Sequence, residues 1–232
     1  TTTREVVMRK VVVIAICAVL AASASYAENV LSQNAVGYVK VELSAGEVAL
    51  VTHQFNDIDG NPQTPSTVVG DQMVTGSRLF TWNGSAYDIE DYLAGTKSNP
   101  DAWTPDTAAI EPGVGFFLEA ADAADVFLLG EVPADATIDL TAEVGVTALG
   151  FPYPANEYWT NSVTAQGANL TDRFFTWNGA SYDIADYLAG TKSNPDAWTN
   201  PGEILEPGEG WFYESTLLAP RVSAEVKPYD WP

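Results

Sequence analysis

This sequence predicts an all-β chain: two homologous small antiparallel domains in tandem, each a sandwich or open barrel, related by a pseudo-twofold and preceded by a secretory leader. Three observations predict it. Residues Arg78 to Thr104 and Arg173 to Thr199 are one 27-residue stretch written twice, 95 positions apart, and 23 pairs are identical; the exceptions are Leu79/Phe174, Ser85/Ala180, Ala86/Ser181 and Glu90/Ala185. A period this long, with Glu111-Pro112-Gly113 answered by Glu206-Pro207-Gly208 at the same offset, marks two copies of one unit. Apolar residues elsewhere alternate with polar ones, or run in short stretches closed by Gly, Pro, Asn and Ser, which is the pattern of strands and turns. The single cysteine and 26 aromatic residues (7 Trp, 10 Tyr, 9 Phe) point to cores held by large side chains without disulfides.

The first 27 residues read as upstream residues and a leader. Arg9-Lys10, an apolar run from Val11 to Ala22, and small residues ending Ser25-Tyr26-Ala27 have the order of a signal peptide cleaved after Ala27. A membrane anchor needs about 20 apolar residues, and a lipoprotein site at Cys17 is spoiled by bulky Ile16 before it. Cleavage removes that cysteine and leaves 7 basic and 30 acidic side chains, a net charge of −23. Such a charge disfavours nucleic acid as a partner, because phosphates attract Lys and Arg. It leaves room for divalent cations. The expected domains are 28–133 and 134–232, with no membrane span in either.

In chain order, Val39, Val41 and Leu43 alternate with Lys40 and Glu42, Ser44-Ala45-Gly46 turns, and 47–52 is apolar again, which predicts a hairpin. In each copy an aromatic strand (78–82, 173–177) meets Asn-Gly and then a second strand through Tyr87 or Tyr182; Asn-Gly predicts a type I′ turn, with positive φ at both central residues. Residues 88–95 and 183–190 fit either a short Asp-capped helix or a continued strand. The stretches 96–104 and 191–199 read as polar, proline-bearing loops, Glu-Pro-Gly as a turn, then strands at 115–118 and 210–213. Residues 125–132 and 221–226 supply later strands, and Val132-Pro133-Ala134-Asp135 interrupts the pattern at the domain boundary.

Ser32-Gln33-Asn34-Ala35-Val36-Gly37-Tyr38-Val39, the two Trp-Asn-Gly hairpins and Pro207-Gly208-Glu209-Gly210-Trp211-Phe212 together resemble a group of uncharacterised secreted proteins of environmental Gram-negative bacteria, with an NAVGYV start and two WNG…PGEGFF units. The resemblance spans most of the chain after the leader. It implies export and a duplicated β domain, and no activity. Val114 departs from the pattern where the second copy has Glu209.

An enzyme has little to work with. His53 is the only histidine, it has no counterpart in the second copy, and it reads as a solvated or hydrogen-bonded strand-end residue. Zinc sites of His and Cys are excluded by the count. Paired carboxylates for glycoside hydrolysis remain in Asp88/Asp183, Asp91/Asp186, Asp101/Asp196 and Glu111/Glu206, each with an ordinary turn or cap explanation. Binding is the stronger idea: Trp103 and Trp198, in polar loops beside Lys97/Lys192, Asn99/Asn194 and Asp101/Asp196, form a candidate platform for sugar rings. Trp82 and Trp177 read as core. Asp57, Asp59 and Asn61 are a calcium candidate in a turn that also stands without an ion; no other cofactor is expected. The free strand within 29–43 is a candidate for pairing with a neighbouring copy. The expectation is a non-catalytic structural or surface protein of the periplasm or cell exterior, with polysaccharide binding as the alternative.

Overall fold

A computed structural model describes residues 35–229, so the expected leader and the first residues after it lie outside the described part. The elements are β1 (Val36–Leu43), β2 (Val48–Thr52), a helical turn α1 (Pro65–Val68), β3 (Arg78–Trp82), β4 (Tyr87–Leu93), β5 (Ala102–Thr104), β6 (Gly115–Glu119) and β7 (Ala124–Glu131). Then follow β8 (Thr137–Ala142), β9 (Gly145–Gly150), β10 (Glu157–Tyr158), a 3-10 turn (Trp159–Asn161), α2 (Val163–Gln166), β11 (Arg173–Trp177), β12 (Tyr182–Leu188), β13 (Ala197–Trp198), β14 (Ile204–Leu205), β15 (Gly210–Ser215) and β16 (Arg221–Val226). The fold is all-β, with antiparallel ladders.

Two five-stranded sheets form the centre, ordered β2-β6-β3-β4-β5 and β9-β15-β11-β12-β13. The two-stranded ribbon β1-β7 covers the first and β8-β16 the second. β1 and β2 therefore do not form the expected hairpin: β1 pairs with β7, and β2 with β6. The turn at 44–47 does exist, and it is a corner. Gly46 N–H donates to Ala120 O at 2.7 Å and Ala120 N–H to Glu47 O at 3.0 Å, so both strands of one long ribbon bend at the same level. The bend lets Val41 and Leu43 close down on Val51, Phe116 and Leu118 of the sheet below. A flat hairpin would have left that apolar face uncovered.

Residues 88–93 and 183–188 resolve as strand, with Glu90 and Tyr92 directed into the core and Asp91 and Leu93 outward. The Asn-Gly hairpins are present, but the turn is not type I′. Gly84 and Gly179 alone take positive φ, while Asn83 Oδ1 accepts the N–H groups of Ser85 (3.1 Å) and Ala86 (3.0 Å), and Asn178 Oδ1 those of Ala180 (3.1 Å) and Ser181 (2.9 Å). The asparagine works through its side chain, in the Asx-turn manner.

Three cores result. One lies under β1-β7 and α1 (Val68, Val69, Leu79, Tyr92, Trp103, Ile110, Leu128 among its members), and a second under β8 and α2 (Phe151, Tyr153, Trp159, Phe174, Trp198, Trp211). The third is shared: Leu50 and Phe117 from the first five-stranded sheet meet Ala148 and Phe212 from the second, ringed by Val48, Phe80, Trp82, Val146, Phe175 and Trp177. The expected boundary near 133–136 falls between β7 and β8, yet the two halves bury a common face, and the described residues form one compact unit.

The halves also cross. Thr52 N–H donates to Gly208 O at 2.9 Å and Gly150 N–H to Gly113 O at 2.8 Å, and Gln54 spans the seam, Nε2 donating to Phe151 O and Tyr153 O and Oε1 accepting Gly208 N–H. This explains the repeated Glu-Pro-Gly-x-Gly. Gly113 and Gly208 hold φ of 88° and 90°, and a Cβ on Gly150 would run into the Thr52 side chain. Backbones approach that closely only where no side chain intervenes.

Candidate functional site

The repeated loops come first, because the sequence points to them. Trp103 and Trp198 do not face solvent; they are 3 % and 9 % exposed and belong to the first and second cores. Trp103 Nε1 donates to Gly70 O at 2.9 Å and Trp198 Nε1 to Ala165 O at 3.3 Å, and their rings pack on Tyr92 and Tyr187 at 5.2 and 5.0 Å. What reads as a loop includes a short strand, β5 or β13, whose middle or last residue turns inward. No ring face is left there for a sugar, and the expected platform is corrected.

Lys97, Asn99, Lys192 and Asn194 lie on exposed backbone. Asp101 Oδ1 and Asp196 Oδ1 accept the N–H of Gly95 (2.8 Å) and Gly190 (2.7 Å), while Thr96 N–H donates to Asn99 O and Thr191 N–H to Asn194 O. The loop thus folds on itself, and a Cβ at Gly95 or Gly190 would collide with its own far side. Its near-identity in both copies has a structural cause in that closure.

Several of the remaining candidates are also engaged internally. Asp57 Oδ1 accepts Asn61 N–H, Asp59 N–H and Asn61 Nδ2, and these bonds, the Asn61 backbone's above all, lower the carboxyl's pKa against the opposing effect of desolvation. That oxygen is spent on the turn, Asp59 and Asn61 contribute their own N–H groups to it, and no group of three or more His, Cys, Asp or Glu suited to a metal occurs among the described residues. His53 is not solvated but buried, 1 % exposed, with Nδ1 lacking a partner. Burial pulls its pKa down to about 4, and a hydrogen bond with the Phe55 backbone pulls the other way. Asp88 and Asp183 accept from Asn83 and Asn178, and Asp186 pairs with Arg173 at 3.1 Å.

Sequence reasoning missed three buried carboxylates. Glu90 Oε1 accepts the N–H groups of Thr107 and Ala108, Glu225 those of Val163 and Thr164, and Asp172 those of Asn169 and Thr216 together with the hydroxyls of Tyr213 and Thr216. Burial pushes the Asp172 carboxyl up, but these donors outweigh it and hold it below its ordinary value. All three pin chain segments to the sheets. Glu90 was marked in the sequence only as one of the four unequal pairs, opposite Ala185.

Two surfaces remain open. Between the central sheets, eight rings converge: Phe117 and Phe212 sit 5.9 Å apart, Tyr87 lies 5.8 Å from Phe117 and Tyr182 5.8 Å from Phe212. Trp82 Nε1 donates to Val146 O at 2.8 Å and Trp177 Nε1 to Val48 O at 2.7 Å, each indole reaching the opposite sheet. A cleft of ≈ 210 Å³ lined by Trp82, Tyr87, Val146, Phe175, Tyr182 and Phe212 opens beside them.

The second surface is the outer face of β1-β7, where Val36 (63 %), Tyr38 (67 %), Leu129 (55 %) and Phe127 (36 %) are exposed. Tyr38 stands opposite Leu129 and its ring is 5.8 Å from Phe127. The far edge of β7 is closed: Gln72 bonds both backbone groups of Phe127, and Asn56 exchanges two backbone bonds with Glu131. Among the described residues no strand pairs with the far edge of β1. The corresponding strand β8 presents Thr137, Asp139 and Thr141 instead, and no described helix is long and apolar enough to cross a membrane. Comparison with protein-family models, curated proteins and solved structures finds no match for the chain.

Proposed function

We propose that this chain is a non-catalytic, exported structural protein of a Gram-negative periplasm or cell surface, built from a duplicated β domain and assembling with copies of itself through β1. The observation that carries the proposal is the open edge of β1 beside an apolar outer face. Solvent-exposed edges are normally guarded by charges, prolines or bulges, as Asp139 guards β8; Lys40 and Glu42 guard the second half of β1 in the same way, which leaves the Val36–Tyr38 end as the unguarded part of the edge. The matching strand orders of the two central sheets support the duplicated domain. Burial of Trp103 and Trp198 removes the residues on which polysaccharide binding rested, and the internal engagement of Asp88, Asp183 and Asp186 speaks against a carboxylate hydrolase.

The test is the mass of the full chain in solution. Light scattering across a concentration series should give particles larger than a monomer for the wild type, and monomers for Tyr38→Lys combined with Leu129→Lys. Both substitutions sit on the outward face, so circular dichroism should be unchanged. A wild type that stays a monodisperse monomer at high concentration removes the proposal. Truncation before Glu47 is unsuitable, since it would strip Val41 and Leu43 from the first core.

A further inference from the structure

From the cleft between the two central sheets we infer a binding site for a small, uncharged, mainly apolar single-ring molecule, independent of the assembly surface on β1. A solvent-open recess of ≈ 210 Å³ lies against Trp82, Tyr87, Val146, Phe175, Tyr182 and Phe212, its lining mainly apolar. An apolar cavity of about 150 Å³ is enough for benzene, so one substituted ring fits.

The lining states the chemistry. The Trp82 indole N–H is already committed to Val146 O, which leaves the ring surface for stacking and edge contacts. Phe175, Phe212 and Val146 offer no hydrogen bond. The remaining polar side-chain groups are the two phenol hydroxyls at the rim, where Tyr87 and Tyr182 are 40 % and 37 % exposed and hydrogen-bond one another, burial first and that bond second raising the Tyr182 pKa; a hydroxyl pair of this kind still has one O–H and free lone pairs to offer. Together they match one hydroxyl or carbonyl on a guest. A formal charge of −21 and the absence of a cationic side chain from the lining reject carboxylates and phosphates, and a fully hydroxylated sugar would leave most of its groups unpaired against the apolar wall. Because the site takes residues from both halves, neither copy of the repeat forms it alone.

The experiment uses the full chain with phenol and cyclohexanol as probes and benzoate and glucose as comparisons, read by tryptophan fluorescence and by the melting temperature. Both neutral probes should bind saturably at millimolar concentration and raise the melting temperature, whereas benzoate and glucose should do neither. Val146→Phe fills the cleft and should weaken phenol binding at least tenfold; Val146→Met should weaken it less; Val48→Phe, at the equivalent position outside the cleft, should leave it within twofold. No saturable binding of either neutral probe to the wild type, equal binding by Val146→Phe if it folds, or a preference for glucose or benzoate would each overturn the inference. These readouts do not depend on oligomeric mass, so they separate from a failure of the assembly proposal.

Discussion

Acidification from about pH 7 to about pH 5 should weaken the fold through His53, and the size of the effect follows from where that ring lies. His53 is the chain's single histidine, it is 1 % exposed with Nδ1 unpartnered, and burial lowers its pKa to about 4 from an ordinary 6.5. The folded state therefore prefers the neutral ring, while the unfolded chain takes up a proton below about pH 6.5. Stability from this group is complete above the unfolded value and is lost as pH falls toward the folded one. At ~1.36 kcal/mol per pKa unit the full loss is about 3 kcal/mol, and the part falling between about pH 7 and pH 5 is about 2 kcal/mol. For a unit of this size that is roughly 4–8 °C in melting temperature. Urea unfolding at several pH values would measure it, with His53→Leu as the reference that cannot titrate. Glu209, raised in pKa chiefly by burial, acts in the opposite sense and is common to both proteins, so the difference isolates His53. A His53→Leu variant whose stability changes with pH by the same slope as the wild type would refute the reasoning.

Two further outcomes follow from packing. Trp103→Ala and Trp198→Ala should each cost about 3–5 kcal/mol, as truncation of a buried large aromatic does, with loss of cooperative melting in the double variant; an unchanged midpoint in chemical denaturation would return these rings to the surface. Gly150→Ala should destabilise by about 1–3 kcal/mol through overpacking against Thr52, and Thr52→Gly in the same chain should recover part of it, as thermal melts of the single and double variants would reveal.

The repeat, the strands on either side of each Asn-Gly and the Glu-Pro-Gly turns were legible because each is a local signal of pattern or turn chemistry. The partner of β1 was not: alternation of Val39, Val41 and Leu43 says which face is buried, and is silent on whether the next strand continues the sheet or folds over it. Trp103 was misplaced for a related reason. Flanked by Ala102 and Thr104 and preceded by Asp101, it sits in a strand of three residues, too short for a period of two to show. The shared core does carry a sequence signal. Phe116-Phe117 and Trp211-Phe212 are adjacent aromatics on single strands, so both faces of each sheet had to be covered, and with the outer face under a ribbon the inner one could only meet the other half. Tyr87 and Tyr182 lay beside polar turns and gave no hint that they would adjoin.

The described backbone begins at Ala35, whose carbonyl accepts Val132 N–H, and near its other end Lys227 N–H donates to Ala136 O. Only the short stretch from Val132 to Ala136 parts these two points, so entrance and exit share one doorway. A flexible bridge of a few residues would close the chain into a ring there, and the exposed tip at Gly84-Ser85 could then be opened to make new termini without disturbing a ladder.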